Sequence, residues 1–176
     1  NWIMINGDYG STRYSKLTQI NRDNVKNLRL VWAMALGGTQ DVGQNGTEAQ
    51  TNPLIDNGFM YTADGWGTIY KIDARNPNRG TFVWTANPGT QHEGRAPRTR
   101  GIALWDDLII SNNVDGRVIA TNRDSGEIVW DKQVAVTNEF GSKEGFTAAP
   151  MTLEGKAIVA NSAGDAATRG WIAALD

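Results

Sequence analysis

Cysteine is absent from this 176-residue chain, and histidine occurs once. The first absence excludes disulfides and thiolate metal sites, and the second excludes a His-rich zinc motif. Neither assigns a compartment, because many secreted proteins also lack cysteine. A surplus of charge is missing too: 17 Lys and Arg against 19 Asp and Glu leave a net charge of −2. Nothing electrostatic therefore points to nucleic acid or an anionic membrane as partner. No apolar run approaches the roughly 20 residues needed to span a bilayer, and no membrane span is expected. No signal-peptide pattern precedes Asn1, which is also how a processed mature chain looks. A phosphate-binding glycine loop and a Ser-His-Asp set are likewise not visible.

What is present is the composition of a folded protein, with 40% hydrophobic and 20% charged residues. The 20 glycines and 7 tryptophans suit short strands, tight turns and aromatic plugs between sheets.

A repeat organises the chain. Gly67-Thr68-Ile69-Tyr70-Lys71-Ile72-Asp73 is followed, after a turn, by Gly80-Thr81-Phe82-Val83-Trp84. Gly116-Arg117-Val118-Ile119-Ala120-Thr121-Asn122 is followed by Gly126-Glu127-Ile128-Val129-Trp130, and Gly170-Trp171-Ile172-Ala173-Ala174-Leu175-Asp176 begins a third copy. The leading glycines lie 49 and 54 residues apart, the period of a four-stranded β-propeller blade. Each copy reads as a hairpin: a strand ending in Asp or Asn, a polar turn such as Arg123-Asp124-Ser125-Gly126, and a strand ending in Trp. Upstream of each lies another strand pair. Pro53–Ile55 and Phe59–Thr62 flank Asp56-Asn57-Gly58, Ile102–Trp105 and Leu108–Ile110 flank Asp106-Asp107, and Pro150–Thr152 and Ala157–Val159 flank Glu154-Gly155-Lys156.

The expected fold class is all-β: a partial propeller of about three four-stranded blades. Its expected divisions are an N-terminal segment with an outer strand of the closing blade (1–50), a first full blade (51–99), a second (100–146) and a truncated third (147–176). Within the first division, residues 18–28 suit one or two helical turns started by Thr18 or Asn21. Leu30–Leu36 is expected to be a Trp-bearing outer strand. Trp32, Trp84 and Trp130 recur at equivalent positions and are expected to pack between blades. The open sheet edges and bare inter-blade faces of such a piece predict poor stability in isolation.

The opening Asp8-Tyr9-Gly10, Arg13-Tyr14-Ser15, Leu17, Gln19-Ile20-Asn21, Asn24-Val25, Leu28 and Trp32 resembles the N-terminal signature of quinoprotein dehydrogenases. These are the pyrroloquinoline quinone (PQQ) dependent alcohol dehydrogenases with their glucose and sorbose relatives. The resemblance continues through Asn52-Pro53-Leu54, Arg100–Trp105, Thr147–Pro150 and Arg169-Gly170-Trp171, covering essentially the whole chain in order. It implies the opening part of an eight-bladed quinoprotein propeller. It also implies oxidation of a small alcohol or sugar, an electron acceptor such as a cytochrome c, and a periplasmic location.

The resemblance further implies a cofactor site on the propeller axis. From the residues alone, Arg100 reads as a surface member of the run Arg95, Arg98, Arg100. The resemblance matches it to the arginine that approaches PQQ, and a guanidinium fork suits a carboxylate or an ortho-quinone. Thr147 matches a cofactor-bonding threonine, and Ser162 and Gly164 match the loop that touches PQQ. Asp165 falls where the family has an acidic ligand to Ca²⁺, or to a lanthanide in some members. A hard cation prefers carboxylate oxygens and makes a bound quinone more electrophilic. Asp165 read alone is an Asx-type turn residue.

Two departures from the family pattern stand out. Gln50 occupies the position of a cofactor-contacting glutamate, with Glu48 two residues before it. Gly94 and Arg95 replace an adjacent Cys pair that lids the cofactor in the alcohol dehydrogenases, and His92 lies in the same segment. The expectation is a divergent branch. The resemblance implies that the catalytic base, an aspartate, and the remaining metal ligands lie in later blades. The rival reading is a propeller of the same repeat that binds or scaffolds other proteins without cofactor, because fold alone does not decide chemistry.

Overall fold

The computed structural model describes residues 1–37, 48–91, 98–137, 141, 144–162, 164 and 168–176. In chain order its strands are β1 (Glu48–Ala49), β2 (Leu54–Asp56), β3 (Phe59–Ala63), β4 (Ile69–Asp73) and β5 (Thr81–Ala86). Then come β6 (Arg98–Thr99), β7 (Ala103–Trp105), β8 (Leu108–Asn112), β9 (Arg117–Asn122) and β10 (Ile128–Gln133), followed by β11 (Met151–Leu153), β12 (Lys156–Ala160) and β13 (Ile172–Leu175). They form antiparallel meanders in the order β2-β3-β4-β5, β7-β8-β9-β10 and β11-β12-β13. These are two complete blades and three strands of another, as the repeat predicts.

Turn chemistry sets the hairpins. Between β2 and β3, Asn57 and Gly58 take φ of 50° and 79°, the left-handed pair that a two-residue turn needs to follow strand twist. Glu154 and Gly155 repeat it between β11 and β12 at 48° and 79°. At the opposite end of the first and third blades, the connection between second and third strands is held by one short polar side chain. Asp64 Oδ1 accepts from Trp66 N at 2.9 Å and Thr68 N at 3.0 Å, and Asn161 Oδ1 accepts from Trp171 N at 2.9 Å.

The inner strands are buried on both faces because each blade packs against the next. Leu54, Tyr61, Ala63 and Ile69 of the first blade share one cluster with Ile102 and Ile109 of the second. The other face of the second blade, with Ala103, Ile110, Val118 and Ala120, meets Ala157 and Val159 of the third. Outer strands β5 and β10 are largely exposed, and along them Trp84 and Trp130 turn inward.

The tryptophans do pack between blades. A Cβ on Gly126 would lie 2.8 Å from the Trp84 ring, and one on Gly80 would lie 2.9 Å from the Trp32 ring. Glycine at these turns is what lets the ring of the preceding segment lie flat on the backbone. Trp84 Nε1 adds a hydrogen bond to Arg123 O at 3.2 Å, and Trp130 packs against the cluster between the second and third blades. A polar clamp joins the first two blades nearby. Lys71, almost fully buried, donates to Arg123 O at 2.8 Å and Asp124 Oδ1 at 3.2 Å, and it lies 4.7 Å over the Phe59 ring.

The N-terminal division differs from expectation in two respects. Val25–Asn27 forms a short 3₁₀ turn within the expected span, but its N-cap is Asn24, without a side-chain cap bond, in place of Thr18 or Asn21. Leu30–Leu36, however, is not a strand. It pairs with none of the described strands, and lone strands do not hold. Its alternation survives: Trp32, Met34 and Leu36 are half-buried while Val31, Ala33 and Ala35 are exposed. Beyond it, Gly37 N donates to Tyr70 Oη at 3.0 Å, and Tyr70 Oη donates to Asp64 Oδ2 at 2.8 Å. Burial, then the bond to Asp64, pushes the Tyr70 phenol up to about 12.

Candidate functional site

The site begins with a pairing too short to be seen in sequence. β1 and β6 run parallel, with Glu48 opposite Arg98 and Ala49 opposite Thr99. The next residues in that register are Gln50 and Arg100. Thr51 Oγ1 donates to Thr99 O at 3.1 Å, which ties the two lead-in segments together. The pattern steps on to the third blade, where Arg100 N donates to Thr147 O at 3.0 Å. Gln50, Arg100 and Thr147 thus take equivalent places where the chain enters three successive blades.

Ser162 reaches the same point from the connection between β12 and β13. Its N donates to Gly145 O at 2.8 Å, forming an isolated bridge. Its Oγ accepts from Thr147 N at 2.9 Å and lies 2.8 Å from Thr147 Oγ1. Thr147 Oγ1 in turn accepts from Arg100 Nη1 at 2.6 Å. The result is a continuous hydrogen-bonded row, Arg100–Thr147–Ser162, built from two blades.

Its chemistry follows from donor count. Arg100 is exposed, and among the described residues its guanidinium gives one side-chain bond, to Thr147. A guanidinium has five N–H donors in a planar fork, so most of its donors make no side-chain bond among the described residues. Thr147 and Ser162 are half-buried hydroxyls beside it. A cation flanked by hydroxyls suits a planar ligand carrying carboxylates or carbonyl oxygens. Among the described residues no group of three or more His, Asp or Glu side chains is arranged to hold a metal ion.

The chain matches the family model described as glucose/ethanol/alcohol dehydrogenase, β-propeller domain, over residues 2–176. The chain belongs to the PQQ-dependent alcohol dehydrogenase family. Quinohemoprotein alcohol dehydrogenase of Comamonas testosteroni is 34% identical over 99% of this chain and 24% of its own length. Its crystal structure superposes with a TM-score of 0.86 over 99% of this chain. A quinoprotein alcohol dehydrogenase of Pseudomonas putida is 35% identical over 93% of this chain and 26% of its own. A europium-containing methanol dehydrogenase matches at a TM-score of 0.82 and 30% identity, over 99% of this chain and 30% of that one. The chain therefore spans about a quarter of the length of the curated PQQ-dependent relatives it matches.

Of the residues singled out in sequence, the fold brings together Arg100, Thr147 and Ser162, and sets Gln50 in register beside Arg100. Gly164 is exposed, and a Cβ there would meet nothing within 4 Å, so packing within this chain does not demand glycine. Asp165 lies outside the described residues, as do His92, Gly94 and Arg95. Sequence reading missed the parallel register that aligns the row. Its only trace is that residues 50, 100 and 147 recur at nearly the blade period.

Proposed function

We propose that this chain forms the opening blades of a PQQ-dependent dehydrogenase that oxidises an alcohol or sugar-type substrate and passes electrons to an external acceptor. The observation that carries this is the Arg100–Thr147–Ser162 row at the lead-in edge of adjacent blades. A scaffold needs no such row: an exposed arginine tethered to a hydroxyl pair adds little to stability on a surface.

The residues fit the cofactor as a donor set. Arg100 would hold a PQQ carboxylate or quinone oxygen, with Thr147 keeping the guanidinium in one orientation. Ser162 would donate from the adjoining face, and Gln50 would add an uncharged amide contact. Gly164 would allow close approach of the loop, and Asp165 would supply a carboxylate to Ca²⁺ or a lanthanide. Bound there, PQQ supplies the two-electron acceptor for substrate hydride. Within this chain the work is binding and orientation, and the proton-abstracting base belongs to other blades. The names of two relatives, a 1-butanol dehydrogenase (cytochrome c) of Thauera butanivorans and a methanol dehydrogenase [cytochrome c] subunit of Methylobacterium organophilum, support an alcohol substrate and a cytochrome c acceptor.

The test is reconstitution of the full-length protein with PQQ and Ca²⁺, followed by dye reduction with primary alcohols and sugars. Substrate-dependent reduction that requires PQQ is the expected result. A folded protein that binds no PQQ and reduces no dye would overturn the proposal in favour of a scaffold.

A further inference from the structure

The N-terminal residues lie outside the sheets, yet they touch each of the three described blades in turn. Trp2 bridges to Ile55 of β2, with N–H···O bonds of 2.6 and 2.8 Å. Ile5 meets the second blade at Gly101, where an added Cβ would lie 3.1 Å from Ile5 Cδ1 and 2.9 Å from Ala149 Cβ. Tyr9 Oη donates to Thr152 O of β11. Residues 2, 5 and 9 thus fasten one strap across three blades. Between this strap and the second and third blades lies a cavity of about 290 Å³ whose lining includes Ile5, Tyr9, Arg13, Arg100, Ala149 and Met151.

The middle contact falls beside the cofactor arginine. Gly101 has φ of +155°, a conformation that side-chain-bearing residues rarely adopt, so both backbone and space require glycine there. One side of Arg100 is fixed by its N–H on Thr147 O. The other side is the glycine on which Ile5 seats. Gly101 has no side chain of its own to anchor it, and the Ile5 side chain together with Ala149 packs over the space a Cβ would take.

We propose that Ile5 is a positioning residue for Arg100: the strap pins Gly101 and so fixes the backbone from which the guanidinium is aimed. This rests on the PQQ reading above, because the ligand it serves is that cofactor. The strap makes the site dependent on a segment nearly a hundred residues away in sequence that contributes no polar group to the row.

The test uses the full-length protein and measures PQQ affinity by quenching of tryptophan fluorescence, alongside melting temperature. Four forms are compared: wild type, Ile5→Ala, Arg100→Ala and the double variant, with Ile5→Val as a milder change should Ile5→Ala fail to fold. Ile5→Ala is expected to weaken PQQ binding by about 5- to 20-fold when Arg100 is present and by less than about twofold when it is absent, the non-additivity of coupled residues. An equal loss in both backgrounds would show that Ile5 acts only on the fold, and no loss in either would remove its role; both overturn the proposal. Wild type that binds no PQQ, or an Arg100→Ala variant that binds as tightly as wild type, would instead overturn the PQQ reading and this inference with it.

Discussion

Replacing Thr147 with valine removes one oxygen while keeping the side-chain shape, and that oxygen is the hub of the site. It accepts from Arg100 Nη1 at 2.6 Å and lies 2.8 Å from Ser162 Oγ. Without it the Arg100 guanidinium loses its described side-chain anchor, and immobilising a freed side chain on binding costs about 0.5–1.5 kcal/mol. In the proposed site a direct hydroxyl bond to the cofactor would be lost at the same time, worth about 0.5–1.5 kcal/mol. Together these make about 1–3 kcal/mol, a PQQ dissociation constant raised by about 5- to 150-fold. The Thr147 backbone bonds to Arg100 N and Ser162 Oγ remain, so the fold should hold. Equilibrium titration of the full-length Thr147→Val variant with PQQ reads this directly, and Thr147→Ser should stay close to wild type. A Thr147→Val affinity within twofold of wild type, at unchanged melting temperature, would refute the hub role.

Other outcomes follow from the packing. Gly126→Ala puts a Cβ 2.8 Å from the Trp84 ring at a backbone φ of +78°, so it should destabilise by about 1–2 kcal/mol from backbone strain alone, seen as a lower urea midpoint by tryptophan fluorescence. Ile109→Ala, at a fully buried position between the first and second blades, should cost about 2–5 kcal/mol in the same assay. Tyr70 holds its proton more tightly folded, up to about 12, than at its ordinary 10.0. Between those values the unfolded chain loses the proton first, so stability should fall as pH rises from about 10 to about 12. Tyr70→Phe should flatten that decline, and an unchanged alkaline slope would place its origin elsewhere.

Much of the fold was legible because its signals are local. Asn57-Gly58 and Glu154-Gly155 mark two-residue turns through their left-handed backbone, and Trp84 and Trp130 mark outer strands by recurring at the blade period. Leu30–Leu36 was misread for the complementary reason: its alternating pattern is real, but a strand also needs a neighbour, and pattern does not report one. The site was legible in residue type and not in arrangement. Arg100, Thr147 and Ser162 could be named from resemblance, yet the register that aligns them depends on β1 and β6, two residues each and too short to carry a periodic signal. Ile5 escaped notice because a lone isoleucine near a terminus means nothing until Gly101 lies beneath it.

The central claim is that Arg100, Thr147 and Ser162 form one wall of a quinone cofactor site. A crystal structure of the full-length protein reconstituted with PQQ and Ca²⁺ tests it most directly. The account predicts PQQ oxygens within hydrogen-bonding distance of the Arg100 guanidinium, with the Thr147 and Ser162 hydroxyls alongside. PQQ bound elsewhere, or a row that stays solvated while PQQ is bound, would contradict it.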